Sequence, residues 1–260
     1  MNLRELHQSG CFVIPNPWDV GSAIYLHQLG FKALATTSAG FAFSRGVTDD
    51  VDSLPRDLML QHVREIVQAT PLPVSADFQN GYGHTPEDVA ANVRLCAKTG
   101  AEGLSIEDNS GHGLYDRTLA IERVKAARSA APGLLLTARC EAALVGHPEP
   151  LKTALDRLAA FADAGADCLF APGIKDAAGV AALVKAVAPK PVNVLMSSPG
   201  LNVRQLSDLG VRRISVGSAL ARTAWGAFMR AAKAIATAGT FDAFSDAASF
   251  AELDGIFRKR

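Results

Sequence analysis

Short runs of apolar, β-prone residues recur along the chain and alternate with longer stretches in which apolar positions return every three or four residues. The short runs are 11–15 (CFVIP), 32–37 (KALATT), 73–77 (PVSAD), 103–108 (GLSIED), 134–139 (LLLTAR), 167–171 (DCLFA), 191–195 (PVNVL) and 212–217 (RRISVG). Near-continuous apolar runs of this length are what strands covered on both faces look like. The intervening stretches predict helices over about 19–29, 54–69, 86–99, 117–131, 150–164, 176–187, 202–209 and 218–237. Strand then helix, eight times, predicts a closed parallel (β/α)8 barrel of the TIM type. An open doubly wound sheet is the competing architecture. It normally has fewer strands and a G-x-G-x-x-G turn after the first, where this chain reads PNPWDVGSA.

The punctuation agrees with a barrel. Thr85-Pro86-Glu87-Asp88 offers an N-cap threonine, a proline at the first helical position and acids in the first turn. Gly30, Gly100, Gly165 and Gly210 each fall where a helix should end and a strand begin. The pattern divides the chain into a barrel over 1–240 and a helical extension over 241–260, which the barrel does not need and which is suited to covering a neighbouring subunit.

Twenty-six basic residues balance twenty-six acidic ones in 260, so no net field recruits nucleic acid or an anionic membrane. No run of apolar residues approaches membrane-spanning length, and the amino terminus lacks a basic stretch followed by a long apolar one, so the expectation is a cytoplasmic protein. Cys11, Cys96, Cys140 and Cys168 lie far apart without a C-x-x-C pair and are read as reduced thiols.

Active sites of such barrels lie at the carboxyl ends of the strands. Here strand two ends in Thr36-Thr37-Ser38, strand three in Asp77, strand four in Glu107-Asp108 and strand five in Arg139, with Glu141 close behind. The loop after strand two adds Arg45, Asp49 and Asp50. Carboxylates gathered without His or Cys at ligand spacing favour a hard cation such as Mg²⁺ or Mn²⁺, which makes Asp77, Glu107 and Asp49 candidate metal ligands. The bland alternative for each acid is capping a helix or pairing with an arginine. Arg139 has the planar fork to clamp a substrate carboxylate, or to form a structural ion pair with Glu141 or Glu107. Ser38-Ala39-Gly40 can bring a hydroxyl and backbone N–H groups to an anionic oxygen. Gly217-Ser218 is read either as a phosphate-binding helix start or as a plain cap. Of six histidines, only His84 and His112 fall in the loops after strands three and four, where proton transfer is conceivable.

NPWDVGSA, the TTSAG turn, ADFQNGYG, SIED, LTARCEA and RRISVGSAL, in this order from about residue 11 to 237, resemble the isocitrate lyase and phosphoenolpyruvate mutase superfamily, and most closely its short phosphonomutase-like bacterial members. The resemblance implies an enzyme with Mg²⁺ at the barrel mouth and a small 2-oxo acid substrate passing through an enolate. It implies Asp77 as direct metal ligand, with Glu107 and Asp49 reaching the ion largely through water. It also implies Arg139, Glu107 and Asp49 as catalytic residues, and substrate contacts at Trp18, Ser38, Ala39, Gly40, Gly81 and Arg139. A homo-oligomer, dimer or tetramer, is expected.

Three departures shape the reading. The lyase branch carries a K-K-C-G-H loop after strand four, where this chain has Asn109-Ser110-Gly111-His112-Gly113-Leu114. The mutase branch has a histidine at the end of strand six, where this chain has Ala171-Pro172-Gly173. The acid usually found before N-G-Y-G is Gln79. The resulting expectation is a Mg²⁺-dependent lyase cleaving a C–C bond of an oxaloacetate-like acid. Its alternatives are a C–C or P–C hydrolase or phosphonomutase-type enzyme using a base near Asp49 or His84, and a non-catalytic 2-oxo acid binder.

Overall fold

In the computed structural model, which describes residues 1–51 and 53–258, all eight expected strands form one parallel sheet in the order β1-β8-β7-β6-β5-β4-β3-β2. They are β1 (Phe12–Ile14), β2 (Leu34–Ala35), β3 (Val74–Asp77), β4 (Gly103–Glu107), β5 (Leu135–Arg139), β6 (Cys168–Phe170), β7 (Val192–Leu195) and β8 (Arg213–Ser215). The sheet curls into a nearly closed (β/α)8 TIM-type barrel. Its seam lies between β1 and β2, where Ala35 N donates to the Pro15 carbonyl at 3.0 Å and the Asn16 side chain donates to the Thr36 carbonyl at 2.9 Å. Asn16 also accepts the Val216 and Gly217 N–H groups at 2.9 and 2.8 Å, tying the end of β1 to the loop after β8.

The helices are α1 (Leu3–Leu6), α2 (Val20–Gln28), α3 (Ser38–Ser44), α4 (Arg56–Ala69), α5 (Pro86–Ala97), α6 (Arg117–Ala130), α7 (Pro150–Asp163), α8 (Ala177–Val187), α9 (Val203–Asp208), α10 (Ala219–Ala238) and α11 (Phe250–Arg258). Thr85 caps α5 as anticipated, accepting the Asp88 N–H at 3.1 Å ahead of Pro86. Gly30, Gly100, Gly165 and Gly210 all have φ between 84° and 100°, the left-handed turn that closes a helix before the next strand. Apolar residues of the helices and the outer strand faces form one large core. A smaller cluster seals the amino-terminal end of the barrel, where Leu3 and Leu6 of α1 meet Ile14, Leu135 and Cys168. A side chain at Gly103 would come within 2.8 Å of Leu3, so this plug relies on a bare backbone in β4. The four cysteines are free.

The extension is not one helix. A 3₁₀ segment (Asp242–Asp246) precedes α11, and α11 lies on α2 of its own chain, with the Gln28 side chain donating to the Ile256 carbonyl at 2.6 Å. Its Phe250, like Phe228 and Met229 of α10, remains exposed. Among the described residues no helix is long and apolar enough to cross a membrane.

Candidate active site

Parallel strands deliver their carboxyl ends to one mouth, and register decides which side chains meet there. Asp77 is aligned with Ser105, and Glu107 with Arg139, so the acids of β3 and β4 and the cation of β5 converge. Arg139 Nη1 lies 2.8 Å from Asp77 Oδ1 and 3.0 Å from Glu107 Oε1, while its Nε donates to Glu141 Oε1 at 2.9 Å. One buried guanidinium therefore holds three carboxylates, over the ring of Phe170 at 5.1 Å. Asp77 is further fixed through Oδ2, which accepts the Ser38 backbone N–H at 2.9 Å and its hydroxyl at 3.0 Å.

These groups open into a cavity of about 330 Å³ whose lining includes Asn16, Ser38, Ala39, Asp49, Asp77, Glu107, Arg139 and Glu141. An adjoining hollow shares Ser38, Asp49, Glu107 and Asn109 and adds Gln79 and His112. The expected candidates thus separate. Asp49, Asp77, Glu107, Arg139, Ser38 and Ala39 come together. Trp18, Gly40 and Gly81, the other expected substrate contacts, are not among the residues lining either space.

Local packing accounts for where each of these three residues sits. Gly40 belongs to α3, its N–H donates to the Thr37 cap at 3.2 Å, and a side chain there would strike Thr37 and the Trp18 Cβ, at 2.6 and 3.0 Å. Trp18 is accordingly a packing partner of Gly40. Gly81 has φ 81° in the turn after β3 and faces Val89 and Ile106, so it is needed for the turn's shape. The TTSAG segment is not a simple turn: Thr37 caps α3, which leaves Ala39 in the first helical turn, where N–H groups have no partner within the helix. His84 is likewise drawn off, its Nδ1 2.7 Å from the Tyr115 hydroxyl. Asp108, beside Glu107 in sequence, is committed to structure: it pairs with Arg157 at 3.1 Å and accepts the Glu141 N–H at 2.8 Å.

Three acids at metal-ligating spacing are absent among the described residues, because Arg139 stands between Asp77 and Glu107. The donor chemistry nevertheless fits a divalent cation. Asp49, Asp77, Glu107 and Glu141 face a single guanidinium, an excess of negative charge. Burial raises the Glu107 carboxyl well above its ordinary range despite Arg139. Burial, then the charge of Asp77, push the Asp49 carboxyl up towards about 6, but Asp49 is an exposed residue at the rim, where water screens much of that effect. Gln79 is buried with its Oε1 unpartnered, a spare neutral oxygen beside these acids.

Sequence reasoning missed the interior of the barrel. Asn193 of β7 and Arg213 and Ser215 of β8 also line the cavity, where barrels usually carry Val, Ile and Leu.

A family description, phosphoenolpyruvate phosphomutase, matches residues 3–236, nearly the whole barrel. The chain belongs to this family. It is similar to a solved candidate lyase/mutase of Burkholderia cenocepacia J2315, at 48% identity, TM-score 0.93, and coverage of 98% of this chain and 94% of that one. It is 34% identical over 221 residues to an uncharacterized protein of Mycobacterium tuberculosis, spanning 84% of this chain and 82% of that one. It also resembles oxaloacetate acetylhydrolase solved with its product oxalate, at 26% identity and TM-score 0.86, covering 98% and 92% of the two chains. The superfamily includes lyases and mutases that are generally dependent on a divalent metal, so an enzyme is the class these likenesses support.

Proposed function

We propose that the chain is a Mg²⁺-dependent lyase that cleaves a C–C bond in a small, oxaloacetate-like 2-oxo acid. The observation that carries this reading is the set of three carboxylates paired with one guanidinium, with a fourth, Asp49, lining the same polar cavity. Asp77, Glu107 and Asp49 would hold the cation, Mg²⁺ or Mn²⁺. When bound, the cation supplies the charge that stabilises a 2-oxo oxygen as it becomes anionic during bond cleavage. Arg139, released from one of its ion pairs, holds the substrate carboxylate, with the Ser38 hydroxyl and the Ala39 N–H as further donors. Asp49, at the rim of the same cavity, would reach the cation largely through water and could exchange a proton with that water.

A second reading, hydrolytic C–C or P–C cleavage, is favoured by His112, which shares the adjoining hollow with Asp49 and can activate water, and by the likeness to oxaloacetate acetylhydrolase. Calorimetric titration of oxalate with and without Mg²⁺, followed by oxaloacetate turnover with and without a chelator, tests both. Mg²⁺-dependent binding and chelator-sensitive release of pyruvate are expected. Acetate and oxalate as products favour hydrolysis. Binding without turnover means a 2-oxo acid binding protein, and no binding under either condition overturns the reading.

The same reading includes a homo-oligomer, dimer or tetramer, in which the 241–260 extension covers a neighbouring subunit. The exposed Trp225, Phe228, Met229, Phe244 and Phe250 on α10 and the extension support it. Sedimentation at micromolar concentration should give an assembly of two or four chains. A monomer would contradict it.

A further inference from the structure

Arg213 enters the barrel from β8 and is 4% exposed. Its Nε donates to Asn193 Oδ1 at 2.9 Å and its Nη2 to Thr137 Oγ1 at 2.9 Å, and Asn193 in turn donates to Ser215 Oγ at 2.9 Å. Nη1 has no partner, and among the described residues no carboxylate pairs with this guanidinium. A buried charge without a counter-ion is among the most unfavourable features a fold can carry, and it persists where something else gains from it. Every neighbour that fixes the head group is a neutral side chain chosen for hydrogen bonding, so position is specified while charge is left uncompensated.

The height of this cation in the barrel is set by Thr137. Thr137 and Arg139 lie two residues apart on β5 and face the same way, so the Arg213 head group is bonded one residue layer deeper in the barrel than the layer of Arg139. Arg213 lines the same cavity as Arg139. The acids gathered at the mouth leave no net positive charge there, whereas the floor has one cation and no acid.

We propose that Arg213 is a substrate-binding residue, holding at the cavity floor the distal carboxylate of a four- or five-carbon dicarboxylic acid whose 2-oxo (or 2-hydroxy) acid end lies at Arg139. The assignment rests on the 2-oxo acid reading of the mouth and adds to it a reason for preferring dicarboxylates. Burial lowers the pKa of the guanidinium, as does the like charge of Arg139, so a bound anion also relieves an electrostatic strain that exists in the free protein.

The test is calorimetric titration of two matched pairs in the presence of Mg²⁺: 2-oxoglutarate against 2-oxovalerate, and malate against 2-hydroxybutyrate. In the wild-type protein the dicarboxylate is expected to bind at least tenfold tighter in one of the pairs. Arg213→Met, similar in volume and uncharged, should abolish that preference while leaving the monocarboxylate's affinity unchanged, and should melt no lower than wild type in ligand-free buffer. Arg213→Lys should keep part of the preference. Equal affinities within both wild-type pairs overturn this proposal alone. A preference that survives in Arg213→Met, together with a lowered melting temperature, shows a purely structural arginine and also overturns it. If none of the four acids binds, the 2-oxo acid reading falls and this proposal with it. Because the wild-type comparison needs no variant, the outcome does not depend on Arg213→Met folding.

Discussion

Replacing Arg139 by methionine is expected to cost the fold about 3–5 kcal/mol at neutral pH and to lower turnover of a 2-oxo acid by roughly a thousandfold. The stability loss follows from what the guanidinium holds. Asp77, Glu107 and Glu141 all reach it within 3.0 Å, and their side chains are 17, 12 and 4% exposed. Deleting the cation leaves them facing one another at low dielectric, whereas replacing all partners together would cost little. The sign of the pH dependence is fixed by the same argument. Burial already lifts the Glu107 and Glu141 carboxyls above their unfolded values, and Arg139 is the main influence pulling them down. In Arg139→Met they rise further. A carboxylate whose folded pKa is raised contributes stability at low pH and loses it as pH climbs through the folded value. The gap between variant and wild type should therefore be widest at pH 7 to 8 and narrow towards pH 5. Urea unfolding at the two pH values measures it. A variant as stable as wild type at pH 7.5, with the same pH profile, would remove Arg139 from the centre of the site. Arg139→Lys should recover little, since one ammonium cannot span three carboxylates on two edges.

The architecture was legible because parallel strands covered on both faces leave apolar runs that polar helix faces interrupt, and all eight runs became strands. The run at 32–37 shrank to Leu34–Ala35 because it lies at the seam, where pairing with β1 is carried by single bonds at Pro15 and Asn16. Two helices gave no periodic signal. The α1 plug buries only Leu3 and Leu6, and α3 spans seven residues that begin with Ser-Ala-Gly, too short for a 3.6-residue repeat to show. The acids and the arginine of the mouth were legible for a topological reason: residues at the carboxyl ends of consecutive parallel strands must converge. The pairs of Arg139 with Glu107 and Glu141 were open to reading as its structural alternative, whereas its pair with Asp77 was not, because only the register of three neighbouring strands brings those two side chains together. Trp18, Gly40 and Gly81 belong to motifs whose spacing reflects close packing as much as ligand contact. Arg213 had a usable signal that went unread. In RRISVG, strand alternation forces one of two adjacent arginines inward, and Arg212 is the one that turns out to the Gly10 carbonyl at 3.1 Å.

Asp77→Asn is expected to weaken Mg²⁺-dependent oxalate binding by roughly a hundredfold while leaving the fold intact. Asparagine has nearly the volume of aspartate, and its side-chain oxygen can still accept from the Ser38 N–H or hydroxyl, which now approach Oδ2 at 2.9 and 3.0 Å. Arg139 keeps Glu107 and Glu141, so no buried cation is orphaned. The variant removes one negative charge from a set that burial and mutual repulsion already strain, so unfolding in metal-free buffer should shift by no more than about 1 kcal/mol. It should also lower the pKa of Asp49, because the charge of Asp77 is the largest influence on that carboxyl after burial. A carboxyl-carbon NMR titration reads this effect without any ligand. Asp108→Asn is the control that separates charge from position. Asp108 adjoins Glu107 in sequence but is held by Arg157 and the Glu141 N–H, so its loss should destabilise the protein and leave cation affinity of the folded fraction near wild type. Unchanged Mg²⁺-dependent binding in Asp77→Asn would mean that the acids at the mouth serve only as partners of Arg139, and that a cation, if the protein uses one, binds elsewhere.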